Sequence, residues 1–268
     1  MLGLFDSGVG GLTILKAVEK VLPGKEILYY ADNKNCPLGE KSPEQIYQIT
    51  IKAVELLFNK GCNLVVLACN TATSVAIRRI QEKWLPQHYP DKKVLGIIRP
   101  VPESLLENKR NRGNLVAVMA TPATINEGFY QQEFRDFGFS NILNIPCPGL
   151  ASAIENADIL TINSLLEVFF KKINTQIPSI DDLVLACTHY PLIKDKIKEK
   201  LTKLGAKQDI QIFDQGQIVA IKLIDYLQRH PQYLPESGSV KVFYSMQSDE
   251  FKKSLERIMS FAKPVTVI

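Results

Sequence analysis

Short apolar runs alternate along the chain with longer stretches whose apolar positions recur every three or four residues. Positions 2–5, 27–31, 64–68 and 93–98 are continuous or nearly continuous apolar runs, the pattern of strands buried on both faces. Between them, 12–21, 43–58 and 71–84 carry the helical period, the second opened by Ser42 as N-cap with Pro43 at the first helical position. The pattern then restarts. Strands are predicted at 115–119, 142–145, 183–186, 210–213 and 240–245, and helices at 126–137, 150–156, 159–173, 192–204, 217–229 and 250–261. This alternation predicts an α/β protein with mainly parallel sheet and helices on both faces. The Pro-, Arg- and Asn-rich stretch 100–114 is expected to be a crossing between two halves.

Composition narrows the class. The chain has 268 residues, 46% hydrophobic and 22% charged, enough for one large unit or two smaller ones with ample core. The net charge of +4 is small, and the densest basic cluster, Lys109-Arg110-Asn111-Arg112, reads most simply as a solvated loop. A nucleic-acid partner is therefore not expected. Nor is a membrane span, since no apolar run reaches about 18 residues. The start, Met1 to Asp6, has no charged segment or cleavage site and is not a signal peptide. The five cysteines are spread out without a CxxC pair, so neither a disulfide framework nor a metal site is expected, and a reducing cytoplasmic setting is the simpler reading.

Two cysteines stand out by their setting. Cys69 ends the run Leu-Val-Val-Leu-Ala and is followed by Asn70 and Thr71, while Cys187 ends Leu-Val-Leu-Ala and is followed by Thr188 and His189. Each thiol is placed at the carboxyl end of a buried strand, where open parallel sheets bind ligands, one in each half of the chain. Two thiols on opposite sides of a cleft can remove a proton from one face of a carbon and return one to the other, which is stereoinversion. A free thiol titrates near about 8.5, so the acting thiolate needs stabilisation and its partner must keep its proton. Helix N-termini expected directly after each cysteine would supply oriented N–H groups, and Asn70, Thr71 and Thr188 would add donors. The alternative is that both cysteines pack as small hydrophobes.

Other polar groups fall at the same sheet edge. Asp6 and Ser7 end the first strand, and the following Gly8-Val9-Gly10-Gly11 either lets the backbone approach a ligand or makes a tight turn. A dinucleotide fingerprint fails there, because Thr13 stands where its last glycine would be. His189 is placed to tune the proton of Cys187, with a purely structural role as the alternative. Thr121 and Thr124 can either donate to a carboxylate or cap a helix. Cys62 is assigned to packing, and Cys36 and Cys147, each beside a proline, to loops.

Taken together, Asp6-Ser7-Gly8-Val9-Gly10-Gly11-Leu12-Thr13, Ala68-Cys69-Asn70-Thr71-Ala72 and Ala186-Cys187-Thr188-His189-Tyr190-Pro191-Leu192 resemble the three motifs of the cofactor-independent aspartate/glutamate racemase superfamily, with the Thr-His-Tyr-Pro ending closest to its glutamate branch. The resemblance implies two similar α/β domains, 1–97 completed by 208–268 and 98–207, with the site in the cleft between them. It implies interconversion of L- and D-glutamate without cofactor or metal, supplying D-glutamate for peptidoglycan. Cys69 would work on the D-enantiomer and Cys187 on the L-enantiomer. Asp6 would assist the first thiol, and His189 and Glu155 the second. Ser7, Leu38, Gly39, Asn70, Thr71, Thr121 and Thr188, with Asp6 and His189, would hold the amino acid. Two stretches depart from the family: Leu38 stands where tyrosine is usual, leaving only backbone donors, and the preceding Asp32-Asn33-Lys34-Asn35-Cys36 differs. A racemase of aspartate or another small acidic amino acid, and a binding protein on the same fold, are the competing readings. The start so close to the first strand suggests regulation other than through an N-terminal extension. The oligomeric state is left open, a homodimer being one form the resemblance allows.

Overall fold

In the computed structural model, which describes residues 1–247, 249–259 and 265–267, the apolar runs are strands. They are β1 (Leu2–Asp6), β2 (Ile27–Ala31), β3 (Leu64–Leu67), β4 (Lys93–Gly96), β5 (Val116–Ala120), β6 (Ile142–Pro146), β7 (Asp182–Ala186), β8 (Gln211–Phe213), β9 (Val240–Tyr244) and β10 (Val265–Val267). The helices are α1 (Leu12–Val21), α2 (Pro43–Asn59), α3 (Asn70–Arg79), α4 (Leu85–His88), α5 (Pro100–Glu107), α6 (Pro122–Asn126), α7 (Phe129–Asp136), α8 (Leu150–Glu155), α9 (Ile159–Lys172), α10 (Lys194–Lys203), α11 (Gln215–Arg229) and α12 (Asp249–Met259).

The strands form two parallel sheets, one in the order β10-β9-β2-β1-β3-β4 and one in the order β6-β5-β7-β8. The α/β class with helix-flanked parallel sheets is thus as expected. In the first, Leu2 pairs with both Ile27 and Leu64, and in the second Val116 pairs with both Ile142 and Asp182. The inner strands β1, β3, β5 and β7 are buried at every position, whereas the edge strands β4 and β6 mix buried and exposed residues and β8 is exposed or half-buried throughout. Continuous apolarity belongs to strands covered on both faces.

Alternate strand residues build separate cores on the two faces of each sheet. Leu2, Leu4, Leu64 and Val66 pack with α1 and α11 residues such as Leu15 and Leu223, while Phe5, Val65 and Leu67 pack with Val54 and Leu57 of α2. In the second sheet, Leu183 and Leu185 join Leu166 and Phe170 of α9, and Val184 and Ala186 join Tyr130 and Phe134 of α7. Burying each such side chain contributes about 1.5–3 kcal/mol.

Local signals place many boundaries. Ser42 caps α2 reciprocally with Gln45, whose N–H donates to Ser42 Oγ at 3.3 Å while the Ser42 N–H donates to Gln45 Oε1 at 3.0 Å. Four expectations differ. The 100–114 stretch contains α5, because Pro100 occupies a first-turn position where its missing N–H does no harm. The helix expected at 126–137 is broken at Gly128, whose φ of 68° no continuing helix can accommodate. A return to the first unit at 208 puts β8 in that unit, but β8 pairs with β7, so the chain leaves the second sheet after Phe213. Beyond Cys187 comes a 3₁₀ turn, Tyr190–Ile193, and α10 starts only at Lys194. The expected end of the last helix at Phe261 lies outside the described residues. No helix among the described residues is long and apolar enough to cross a membrane.

Candidate active site

Each sheet has a point where the chain changes direction. β2 lies on one side of β1 and β3 on the other, and β6 and β7 likewise flank β5. Loops leaving the carboxyl ends of such a strand pair diverge and open a crevice. Asp6, Ser7 and Cys69 leave the first pair, and Thr121, Cys187 and His189 the second. The two-residue period carries the thiols into position: Val65, Leu67 and Cys69 share one core face, as do Leu183, Leu185 and Cys187.

The two crevices face each other. Thr188 Oγ1 donates to Asp6 Oδ2 at 3.1 Å, the Val9 N–H lies 3.2 Å from both Glu155 carboxylate oxygens, and the Thr71 and Thr121 hydroxyls are 3.0 Å apart. Asp6, Ser7, Asn70, Thr71, Thr121, Thr188 and His189 are all buried. Polar groups gathered out of water at an unfavourable solvation free energy mark a place built for something other than packing.

The surroundings of the two thiols differ. Cys69 is the residue before α3, and its Sγ lies 3.9 Å from Ser7 Oγ. Burial first, and then the negative charge of Asp6, push its thiol up to about 12, against the pull of the Ala72 N–H in the first turn of α3 and of the Ser7 hydroxyl. Asp6 itself is raised to about 6 by burial. The charge of His189, the Gly8 N–H at 2.8 Å and the Thr188 hydroxyl limit the rise. On the other side, Cys187 Sγ lies 3.8 Å from His189 Nδ1, while His189 Nε2 bonds to Glu155. Burial opposes charge on that ring, but the Glu155 carboxylate and hydrogen bonds to Cys187, Cys36 and Glu155 outweigh it and hold the imidazole well above its ordinary value. One thiol is thus kept protonated and the other is served by a cation.

Several residues do something other than expected. Asn70 is at the site, but its side chain is clamped: Tyr130 donates to Asn70 Oδ1 at 2.6 Å, and Asn70 Nδ2 donates to Gln215 Oε1 at 2.5 Å. It orients the start of α3, where the Ala72 N–H is turned to the Cys69 sulfur. Leu38 is buried in an apolar core with Phe5 and Ile46, so only its backbone is on offer. A Cβ on Gly39 would come within 2.6 Å of Thr121 Cβ, so that loop touches the second sheet only because it lacks a side chain. Thr121 caps α6 by accepting from the Thr124 N–H, and its hydroxyl meets those of Thr71 and Thr124. The helix dipole expected behind Cys187 is replaced by the 3₁₀ turn, which folds His189 back toward the sulfur.

Tyr29, Tyr130, Gln215 and Cys36 escaped the sequence reading. Tyr29 donates to the Gly8 carbonyl at 2.7 Å, steadying the glycine loop. The tyrosines sit at apolar positions, and Gln215 opens a helix, so nothing local distinguished them from packing or capping. Cys36 is a loop residue as expected, but its Sγ lies beside His189 and Glu155. Cys62 and Cys147 are core residues, the latter donating to the Ile145 carbonyl at 3.3 Å. A separate cavity of about 550 Å³, lined in part by Arg78, Arg99, Glu133 and Lys222, contains none of the thiols.

Residues 12–222 match the family described as Asp/Glu/Hydantoin racemase. The glutamate racemase of Dinoroseobacter shibae is 40% identical over 242 residues, covering 87% of this chain and 85% of that one. The glutamate racemase of Ruegeria pomeroyi is 40% identical over 239 residues, covering 85% and 86%. Among solved structures, a glutamate racemase isoform of Bacillus anthracis superposes with a TM-score of 0.87 at 27% identity over 100% of this chain and 97% of that one. The Francisella tularensis glutamate racemase in complex with D-glutamate gives 0.82 at 25% identity, over 100% and 96%. Paired thiols at two sheet switch points, a matching family model over most of the length and relatives at this identity together make the chain a member of the Asp/Glu/hydantoin racemase family.

Proposed function

We propose that the protein interconverts L- and D-glutamate by passing the α-proton between Cys187 and Cys69, supplying D-glutamate for peptidoglycan. The observation that carries this reading is the unequal equipment of the two thiols, Cys69 beside Ser7 and the charge of Asp6, and Cys187 beside His189 backed by Glu155. In the L-to-D direction the Cys187 thiolate, stabilised by the imidazolium of His189, removes the α-proton. Cys69 delivers its own proton to the opposite face. The roles reverse for D-glutamate, and no net proton is gained or lost. Negative charge building on the substrate carboxylate meets the first-turn N–H groups of α3 and the hydroxyls of Thr71, Thr121 and Thr188. A substrate ammonium near Asp6 offsets the charge that, after burial, holds Cys69 protonated, so binding itself brings that thiol closer to acting as a base.

Two residential domains are part of this proposal, the first completed by the C-terminal strands β9 and β10, with substrate between them. Working thiols fit a reducing cytoplasm. Leu38, which stands where the family usually has tyrosine, is packed in the core and gives no reason for a shorter substrate such as aspartate. In D₂O, L-glutamate should yield D-glutamate carrying deuterium at the α-carbon. Product without solvent deuterium would rule out two-thiol transfer, and a chiral assay across acidic amino acids fixes the substrate.

A further inference from the structure

Cys36 neither gives nor takes the α-proton, yet its sulfur is at the site. Cys36 Sγ, a ring nitrogen of His189 and a carboxylate oxygen of Glu155 all lie within 4.8 Å of one another, and no other such trio is found among the described residues. They converge over bare backbone: a Cβ on Gly8 would stand 2.8 Å from both Glu155 oxygens and 2.9 Å from Cys36 Sγ. Thiolate, imidazole and carboxylate are the three zinc-binding side-chain types, and three such ligands plus an open position satisfy a tetrahedral ion. Bonds of about 2.0–2.3 Å to each ligand require donor atoms roughly 3–4 Å apart, a modest contraction for a half-buried loop residue and two side chains already in contact.

We infer that Cys36, Glu155 and His189 form a binding site for a soft divalent transition-metal ion, zinc fitting best, and that the bound ion switches the racemase off. The inhibitory half rests on the reading that His189 and Glu155 serve Cys187. The ion displaces two protons, one from the Cys36 thiol and one shared by His189 and Glu155, and nothing is oxidised or reduced. With the metal on Nε2, the nitrogen facing Glu155, Nδ1 keeps its hydrogen toward Cys187. That tautomer is fixed by the metal, and the carboxylate behind the ring is spent. The ring then has no nitrogen left to take up the Cys187 proton, and Glu155 no longer backs it, so the second thiol loses the base that prepares its thiolate.

Cobalt(II) added to the metal-stripped full-length protein is the probe. A thiolate-to-cobalt charge-transfer band should saturate at one ion per chain and be displaced by Zn²⁺. Racemisation should fall in step with zinc occupancy and return with a chelator. Cys36→Val and Cys36→Ser should each lose the band and need at least ten-fold more zinc for half-inhibition, each measured against that variant's own metal-free rate. Cys187→Ala should retain the band. A band that survives in Cys36→Val, disappears in Cys187→Ala or never forms overturns the site. A Cys36-dependent band in a protein that racemises nothing even without metal keeps the site, and removes the racemase reading together with the inhibitory claim.

Discussion

At the scale of single residues, the site is a matter of unlike neighbours around like atoms. Both sulfurs end buried strands, but one lies under the charge of Asp6 and the other beside a charged imidazole. Cys69→Ala and Cys187→Ala should each lower racemisation by at least about 10²–10⁴-fold, read as loss of optical rotation change from either enantiomer. Because the enantiomers have equal free energy in water, kcat/KM must fall by the same factor in both directions, and full activity in either variant removes that cysteine from the mechanism. Asp6 permits a stability test with a definite sign. Its carboxyl is carried from 3.8 to about 6 in the fold, so the native state binds the proton more tightly than the unfolded chain. Stability from this group therefore declines as pH rises between those values, by up to about 3 kcal/mol once it is ionised. Asp6→Asn should gain about 1–3 kcal/mol in denaturant unfolding at pH 8 and nothing at pH 4. An equal gain at both values would mean that burial of the charge is not the cause.

At the scale of elements, the loops after β1 and β7 set the distance between the two halves of the site. A Cβ on Gly10 would stand 2.6 Å from Thr188 Oγ1, 2.7 Å from His189 Nδ1 and 2.8 Å from the His189 backbone nitrogen. Gly10→Ala should push the second thiol's support away from the first sheet. A displacement of about 1 Å at a reacting group is enough for roughly 10²-fold in rate, so kcat/KM should fall by that order with far-ultraviolet circular dichroism unchanged. Wild-type activity would show that the loops can part without loss. Much at this scale was legible. The strands and most helices announced themselves by period, and Ser42, Pro43 and Gln45 marked the start of α2. The failures share a cause. Pro100 reads as a breaker out of context but is compatible with a first turn, and residues after Cys187 bend into a 3₁₀ turn through backbone geometry that periodicity does not encode.

At the scale of the whole molecule, one buried network fastens α3 to α7 and α11. Tyr130 donates to Asn70 and accepts from Gln215 Nε2 at 2.7 Å, and Gln215 also donates to the Ile97 carbonyl at 3.0 Å. Tyr130→Phe leaves a buried carbonyl oxygen and a buried amide each short of a partner, a cost of about 1–3 kcal/mol. Denaturant unfolding should register that loss, and an unchanged midpoint would mean that the network is slack. These contacts join positions 60, 85 and 118 apart in the chain, which is why no motif revealed them.

The sequence by itself determined the alternation of strands and helices, the ends of strands at which Cys69 and Cys187 stand, and the motifs by which the family is recognised, because these depend on near neighbours and a two- or three-to-four-residue period. Only the tertiary structure decided that β8 joins the second sheet, that Asn70 is held by Tyr130 and Gln215, that Leu38 is core, and that Cys36 meets Glu155 and His189. Those relations arise where two sheets turn their carboxyl ends toward each other, and contact across that gap depends on how the chain returns through space rather than on any spacing along it.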